Sequence, residues 1–334
     1  MLIPMGQFWG GRAVKLCGFA GVATKPEARG RGLGTRMMAA ALGELRHAGW
    51  PLAGLYPATQ ALYRRVGFEQ AGVRVEHRGP ITALPVFSRE LAMRAFVPGD
   101  LPAVQRVYTR AARHRNGWLD RGPYIWHRVQ HPRQLQAHGY VVAPQGGGIE
   151  GYVFLQRVQK PNGRIDVNVV DMAAATPRAL ERLVTFLRDH ESLAEDVVFF
   201  GGGNDGRLSL LREQRLVSHT VEAWMIRVLH VERALVDRGY PRGLSATLHL
   251  EIHDELFPEN SGRFVLEVSG GEGRVRRGGD GALRCDVRQL AALYSGFRSA
   301  TTLNELGLID ATEEACEVAD ALFLGEPPST PDVY

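Results

Sequence analysis

VATKPEARGRGLGTRMM, residues 22–38, is the stretch that decides the fold. An apolar strand runs into a proline turn, then into two Arg/Gly steps, then into a helix. The first amides of a helix have no intrahelical partner, and the helix dipole adds partial positive charge there. Together they make an anion site suited to a pyrophosphate. Gly30, Gly32 and Gly34 allow unusual φ values and close approach of a phosphate, and Arg29 and Arg31 supply charge. The stretch carries neither the GxGxxG of a dinucleotide fold nor the GxxxxGK[ST] of a P-loop, so it reads as a diphosphate site of another kind.

Working outward, Leu33, Met37, Leu42 and Leu45 recur at helical spacing and predict a helix over 33–48, closed by Gly49 and barred from continuing by Pro51. Upstream, LIPMGQFW and AVKLCGFAGVA read as strands joined by Gly10-Gly11. Downstream, LAGLY (52–56) is a short strand and ATQALYRRV (58–66) a short helix ending at Gly67. The first eighty residues therefore alternate β-β-α-β-α-β, an α/β unit. A second α/β unit starts near Leu91, with a strand at MRAF and a helix capped by Asp100. Thr176-Pro177 caps and opens RALERLVTFLRDH. DVVFFGGG makes an apolar strand, and another ends in AWMIRVL. A third unit begins near His230. ATLHLEI (246–252) and RFVLEV (263–268) alternate cleanly, burying Leu248, Leu250, Ile252 and Phe264, Leu266, Val268 on one face each. A glycine-rich hairpin, a strand at ALRCDV and helices starting near Val287, Thr302 and Thr312 follow. The tail GEPPSTPDVY is too proline-rich to be helical.

The 334 residues suffice for two or three domains. No run of about 18 apolar residues exists, so no membrane span is expected. The start MLIPMGQFWGGR lacks the pattern of a signal peptide. The 3 cysteines, Cys17, Cys285 and Cys316, are far apart and suit a reducing cytoplasm. The net charge of +4 divides into +12 over residues 1–228 and −8 over 229–334. A basic front suits a polyanionic ligand and an acidic back a cationic one. The basic front lacks the interleaved aromatics of RNA readers, so no nucleic-acid partner is expected. His127 and His131 stand at i, i+4, a spacing a metal could use, but no cysteine or carboxylate matches it and no metal is expected.

The pattern Arg29-x-x-Gly32-x-Gly34 after the strand GVAT, with Pro26 in the turn, resembles motif A of the GCN5-related N-acetyltransferases (GNAT). LYRRVGF (62–68) resembles a second signature of that family. FAGVATKPEARGRGLGTRMM…AGWPLAGLYPATQALYRRVGF is similar to the first domain of the enhanced-intracellular-survival (Eis) type. GWLDRGPYIWHRV (117–129) is similar to its middle, cofactor-free domain. ENSGRFVLEV…DVRQLAALYSGF…ADALFLG is similar to its final sterol-carrier-protein-like (SCP2-like) domain. The resemblance covers nearly the whole chain in order. It implies an α/β (α+β) fold in three domains: 1–82 an N-terminal GNAT domain, 83–228 a central GNAT-like domain, 229–334 an SCP2-like α+β domain. The family fold begins with a strand, a helix pair and a second strand before anything matching LIPMGQFW, so the first domain is expected to be N-terminally shortened. Gly21 falls where relatives carry a bulkier cleft-lining group.

The resemblance also implies a chemistry: acetyl transfer from acetyl-CoA to an amine of a cationic small molecule, such as an aminoglycoside, a polyamine or a lysine-like amine, by direct attack. Val22, Ala23 and Thr24 match the strand that pairs with pantetheine, and an N–H near Val22 would face the oxyanion. Arg29, Gly30, Arg31, Gly32, Leu33, Gly34 and Thr35 match the pyrophosphate loop. Ala58 and Leu62 match contacts near the CoA arm. Tyr63 matches the general acid that protonates the leaving thiolate, and the carboxylate of Tyr334 the group that helps deprotonate the amine. The acidic third domain would draw the cation in. The family forms hexamers built from trimers, so a homo-oligomer is expected. An alternative of another class is a non-catalytic assembly or lipid-binding protein working through the SCP2-like domain. It predicts retained lipid and no affinity for CoA.

Overall fold

The computed structural model describes residues 1–334, the side chain of Gln134 apart. The chain opens with a hairpin of β1 (Leu2–Trp9) and β2 (Arg12–Phe19). α1 (Leu33–His47), β3 (Leu52–Leu55), α2 (Gln60–Arg64) and the long β4 (Glu69–Pro80) follow. β2 and β3 run parallel, with Leu16 beside Leu52 and Phe19 beside Leu55, because α1 returns the chain along the sheet. The apolar face of α1 differs from the expected one. Met38, Leu42 and Leu45 are buried, whereas Leu33 and Met37 are 38% and 46% exposed. At roughly 3.6 residues per turn, the first three cluster on one side and Leu33 and Met37 share another. The strand expected to reach Ala23 ends at Phe19.

The next stretch holds β5 (Ala92–Ala95), α3 (Leu101–Ala112), β6 (Leu119–Asp120), α4 (Pro123–Gln130), β7 (His138–Ala143), β8 (Gly151–Gln159), β9 (Ile165–Ala174), α5 (Pro177–Arg188), β10 (Ala194–Gly201) and β11 (Val217–Val228). Thr176 caps α5 by accepting the Ala179 amide, with Pro177 in the first turn. Asp100 stands before α3 but does not cap it. Its carboxylate accepts from the Val97 amide and from the Arg94 guanidinium instead.

All eleven of these strands form one sheet, in the order β5-β7-β8-β9-β10-β4-β11-β3-β2-β1-β6. β4 and β11 lie side by side at its centre. β4 then borders β10, and β11 borders β3. The last strand of the second stretch therefore completes the sheet of the first. β11 is exposed over Val217–Val221 and buried throughout Trp224–Val228, and neither its sequence nor that of β4 says which neighbour it takes.

The remaining chain forms α6 (Val231–Asp237), β12 (Ala246–His253), β13 (Gly262–Ser269), β14 (Glu272–Arg277), β15 (Leu283–Asp286), α7 (Val287–Ser295), α8 (Ala300–Glu305), β16 (Asp310–Ala311) and α9 (Glu313–Phe323). Its sheet runs β14-β13-β12-β15-β16. Leu248, Leu250 and Ile252 on β12, and Phe264, Leu266 and Val268 on β13, are all buried, as their alternation requires. They share one core with Ile3, Trp9, Leu16 and Trp224 of the large sheet. Trp9 packs edge-on against Tyr294 of α7, ring centres 5.6 Å apart. The third unit thus closes its apolar side on the first. After α9 the proline-rich tail is irregular yet docked. The Val73 amide donates to the Pro328 carbonyl, the Thr330 amide to the Val73 carbonyl and the Ser329 amide to the Asn116 carbonyl.

Candidate active site

β2 and β3 pair no further than Phe19–Leu55. Beyond that point the strands part. Residues 20–25 form no strand, and the amides of Val22, Ala23 and Thr24 find no partner among the described residues. On the outer side Ala20 is tied to Met1 by both its amide and its carbonyl. The result is an open slot edged with free backbone donors, which an extended amide-bearing ligand arm can satisfy.

The slot leads to the start of α1. Gly32 is the N-cap at φ 69°, and Gly30 stands at φ 78°. Glycine takes that left-handed conformation without the penalty a Cβ would bring. Gly34 is different: its φ is ordinary, and its need is for space. A Cβ there would come within 3.1 Å of Leu62 Cδ1 and 3.6 Å of Thr24 Oγ1. The third glycine lets α2 close over the loop, bringing Thr24, Gly34 and Leu62 together. No side chain caps α1, and the amides of Leu33, Gly34 and Thr35 have no partner among the described residues. The first turn holds no acidic residue. Arg29, Arg31 and Arg36 are exposed, and among the described residues no carboxylate pairs with them. Arg29 Nε donates to the Thr24 carbonyl at 3.4 Å, bending the loop back on itself. Free amides and the helix dipole meet at the start of α1, with three exposed arginines in the same stretch of chain, which fits a pyrophosphate. Ala58 is exposed just before α2, and Leu33 is exposed at the first position of α1.

Tyr63 sits on α2 in the core beneath the slot, with Phe19, Leu55 and Phe68. Its ring meets Phe68 edge-on, centres 6.0 Å apart. Burial raises its phenol pKa above the ordinary 10.0, so the group keeps its proton at neutral pH. Tyr334 lies on the other face of the same strands. Successive residues of a strand point to opposite faces. Cys17, Phe19, Ala53 and Leu55 join the core with Tyr63, while Leu16, Leu52 and Tyr334 join the core shared with the third unit. The Tyr334 ring lies over Gly18 and Gly54, which are paired across β2 and β3. A Cβ on Gly18 would meet ring Cε2 at 2.7 Å, and one on Gly54 would meet the hydroxyl at 2.7 Å. Tyr56 walls this seat, ring centres 5.3 Å apart, and its hydroxyl donates to the Asp332 carbonyl. Burial pushes the Tyr334 phenol well above its ordinary range. Gly18, Gly54 and Tyr56 were not singled out from the sequence. Their signal is two glycines at one register in parallel strands, visible only once the pairing is known.

Among the described residues no group of three or more His, Cys, Asp or Glu side chains stands together to hold a metal ion. His127 and His131 stack on each other, centres 4.6 Å apart.

Acetyltransferase (GNAT) domain models match residues 1–71 and 117–228, and a sterol carrier protein domain model matches residues 231–331. A GCN5-related N-acetyltransferase from Anabaena variabilis is 32% identical, with a TM-score of 0.94 over 100% of this chain and 86% of that one. One from Kribbella flavida is 29% identical, with a TM-score of 0.87 over 100% of this chain and 83% of its own. Eis1 from Mycobacterium abscessus shares the fold at 23% identity, with a TM-score of 0.81 covering 99% and 86%. An uncharacterized N-acetyltransferase of Streptomyces coelicolor is 29% identical over 90% of this chain and 76% of its own length. The parted parallel strands, the uncapped arginine-flanked helix and these likenesses define an N-acetyltransferase, and the chain belongs to the GCN5-related N-acetyltransferase family. Two acetyltransferase domains followed by a sterol-carrier-protein domain give it the Eis-type organisation.

Proposed function

We propose that the chain transfers an acetyl group from acetyl-CoA to a primary amine of a cationic small molecule, an aminoglycoside, polyamine or lysine-like amine. The observation that carries this reading is the slot beyond Phe19–Leu55 with its free Val22–Thr24 amides, opening onto the uncapped start of α1. When bound, acetyl-CoA supplies an activated thioester. Val22, Ala23 and Thr24 hold the pantetheine arm through backbone donors, and Ala58 and Leu62 flank it. Arg29 to Thr35 hold the pyrophosphate. The amide near Val22 stabilises negative charge on the acetyl oxygen. An acceptor ammonium must lose its proton before it can attack. The carboxylate of residue 334, whose ring seats on the face opposite Tyr63, accepts that proton. Tyr63 gives its own to the departing sulfur, and its raised pKa keeps the proton available.

The three units are taken as 1–82, 83–228 and 229–334, assembled into a homo-oligomer, a trimer or hexamer, in the cytoplasm. Light scattering reads the assembly. The buried state of the three free thiols suits a reducing compartment. The lipid-carrier alternative rests on the sterol-carrier-protein match of the third unit, whose inner side chains pack on Trp9 and its neighbours, and lipid retention without CoA affinity would favour it.

Calorimetric titration with acetyl-CoA, beside Gly34→Trp, tests the reading. Saturable binding in the parent and none in the variant is expected, because an indole at residue 34 collides with Leu62 and fills the loop. A folded parent that binds no acetyl-CoA would overturn it.

A further inference from the structure

The second unit repeats the strand–helix–strand geometry of the first. β9 and β10 run parallel about α5, as β2 and β3 do about α1. They pair only as far as Asn168–Val198. Just beyond, β9 is irregular, its register on β8 shifting between Val169 and Asp171. In the first unit the matching parting leaves an open slot. In the second it is filled from within. Only about 10 Å³ remains there, lined by Trp118, Asp171, Phe199, Phe200, Arg207 and Pro331. Arg207 donates to the Phe200 carbonyl at 2.9 Å and pairs with Asp205. These groups close the glycine-rich exit of β10. Pro331 belongs to the C-terminal tail.

The residue after Pro331 is held harder still. Arg121, its side chain 1% exposed, donates to Asp332 from Nε at 3.0 Å and pairs with it through Nη2 at 2.8 Å. The same guanidinium donates to both oxygens of Asp171, at 2.6 and 2.9 Å. Tyr152 donates to Asp171 at 2.6 Å, and Arg121 lies 3.7 Å over the Tyr108 ring. One planar cation therefore locks a carboxylate of β9 and a carboxylate of the tail in fixed relation. Two residues further on, Tyr334 reaches its seat on Gly18 and Gly54. Two extended residues span about 7 Å, so little freedom is left between clamp and seat.

We propose that the second acetyltransferase unit works as a clamp for the chain's own C-terminal tail, and that Arg121 is a positioning residue that sets residue 334 against the β2–β3 slot through Asp332. The proposal rests on the role given to residue 334 above. Stability alone accounts poorly for such a cluster, because buried ion pairs are often no better than apolar replacements. What a charged fork adds is register, and the segment needing register is a proline-rich tail with no strand or helix of its own.

Two variants test this, Asp332→Ala and Arg121→Lys. Three readouts are taken on the full chain: hydrogen exchange of residues 326–334, acetyl-CoA affinity by calorimetry, and kcat with an amine acceptor. Asp332→Ala is expected to speed tail exchange, leave the acetyl-CoA Kd unchanged and lower kcat about 100-fold, the usual effect of a small misplacement of a reacting group. Arg121→Lys keeps the charge, loses the fork and is expected to fall between parent and Asp332→Ala. Unchanged tail exchange overturns the clamp. Faster exchange with unchanged kcat overturns the positioning role. Loss of kcat together with acetyl-CoA affinity makes the cluster merely structural and also overturns it. A parent that neither binds acetyl-CoA nor acetylates amines sinks the proposed function and the positioning role with it, while tail exchange still decides the clamp.

Discussion

Tyr63 and Asp205 show how far burial and a charged neighbour fix what a single residue does. Tyr63 is 6% exposed, and its raised pKa keeps it a proton donor through neutral pH. Tyr63→Phe is expected to leave acetyl-CoA binding intact and to lower kcat by about 100-fold or more, measured by steady-state kinetics. Deprotonation removes the acid, so the parent's rate should fall as pH rises past 10, and that limb should vanish in the variant. Asp205 is pushed up by burial, but the Arg207 charge and hydrogen bonds outweigh this and bring its pKa from 3.8 down to about 2. A lowered pKa contributes stability above the unfolded value and loses it as pH falls through the folded one. Asp205 should therefore contribute about 2 kcal/mol near neutrality, lost between about pH 4 and pH 2. Thermal unfolding across that range should show Asp205→Asn destabilised near neutrality and level with the parent near pH 2. At this scale the placement of Tyr63, Gly32 and Gly34 was legible, because it is tied to local spacing. It was silent on Gly18, Gly54, Arg121 and Asp332, whose partners are distant in the chain.

Elements were legible where their pattern is local. Leu33–His47, Pro177–Arg188, Ala246–His253 and Glu313–Phe323 match the expected helices and strand, since a cap, a period or an alternation is written within a few residues. The buried face of α1 was not, because apolar residues on two sides of a helix leave the choice to what packs against them. One contact between elements carries a sharp test. The β1–β2 turn meets the loop after α6 at Gly10 and Gly239, where a Cβ on either would lie 2.1 Å from the other's carbonyl oxygen. The Gly239 amide donates to the Trp9 carbonyl across the same contact. Backbone on both sides cannot yield as a side-chain tip can. Gly239→Ala is expected to lower stability by about 1–3 kcal/mol, read as a reduced midpoint in urea, with acetyl-CoA affinity retained.

At the scale of the whole molecule, the three units are not three independent folding bodies. β11 lies between β3 and β4, and one core runs from Leu16 and Trp224 into Leu250, Phe264 and Leu290. Calorimetry should show one cooperative transition rather than three. A chain ending at residue 228 should misfold or aggregate on expression, because Trp9, Leu16, Leu52 and Trp224 would lose their cover. A monomeric, natively folded 1–228 fragment would refute this.

By itself the sequence determined most elements of the first and third units, the glycine-rich start of α1, the placement of Tyr63 on α2 and the family resemblance. Each of these depends on residues close together in the chain. Tertiary structure alone decided that β11 sits inside the first sheet, that the tail crosses the second unit, and that Gly18 and Gly54 form a seat for Tyr334. The physical reason is that strand neighbours and buried ion pairs are selected by packing between segments far apart in sequence. Local patterning fixes that a face is buried and leaves open what buries it.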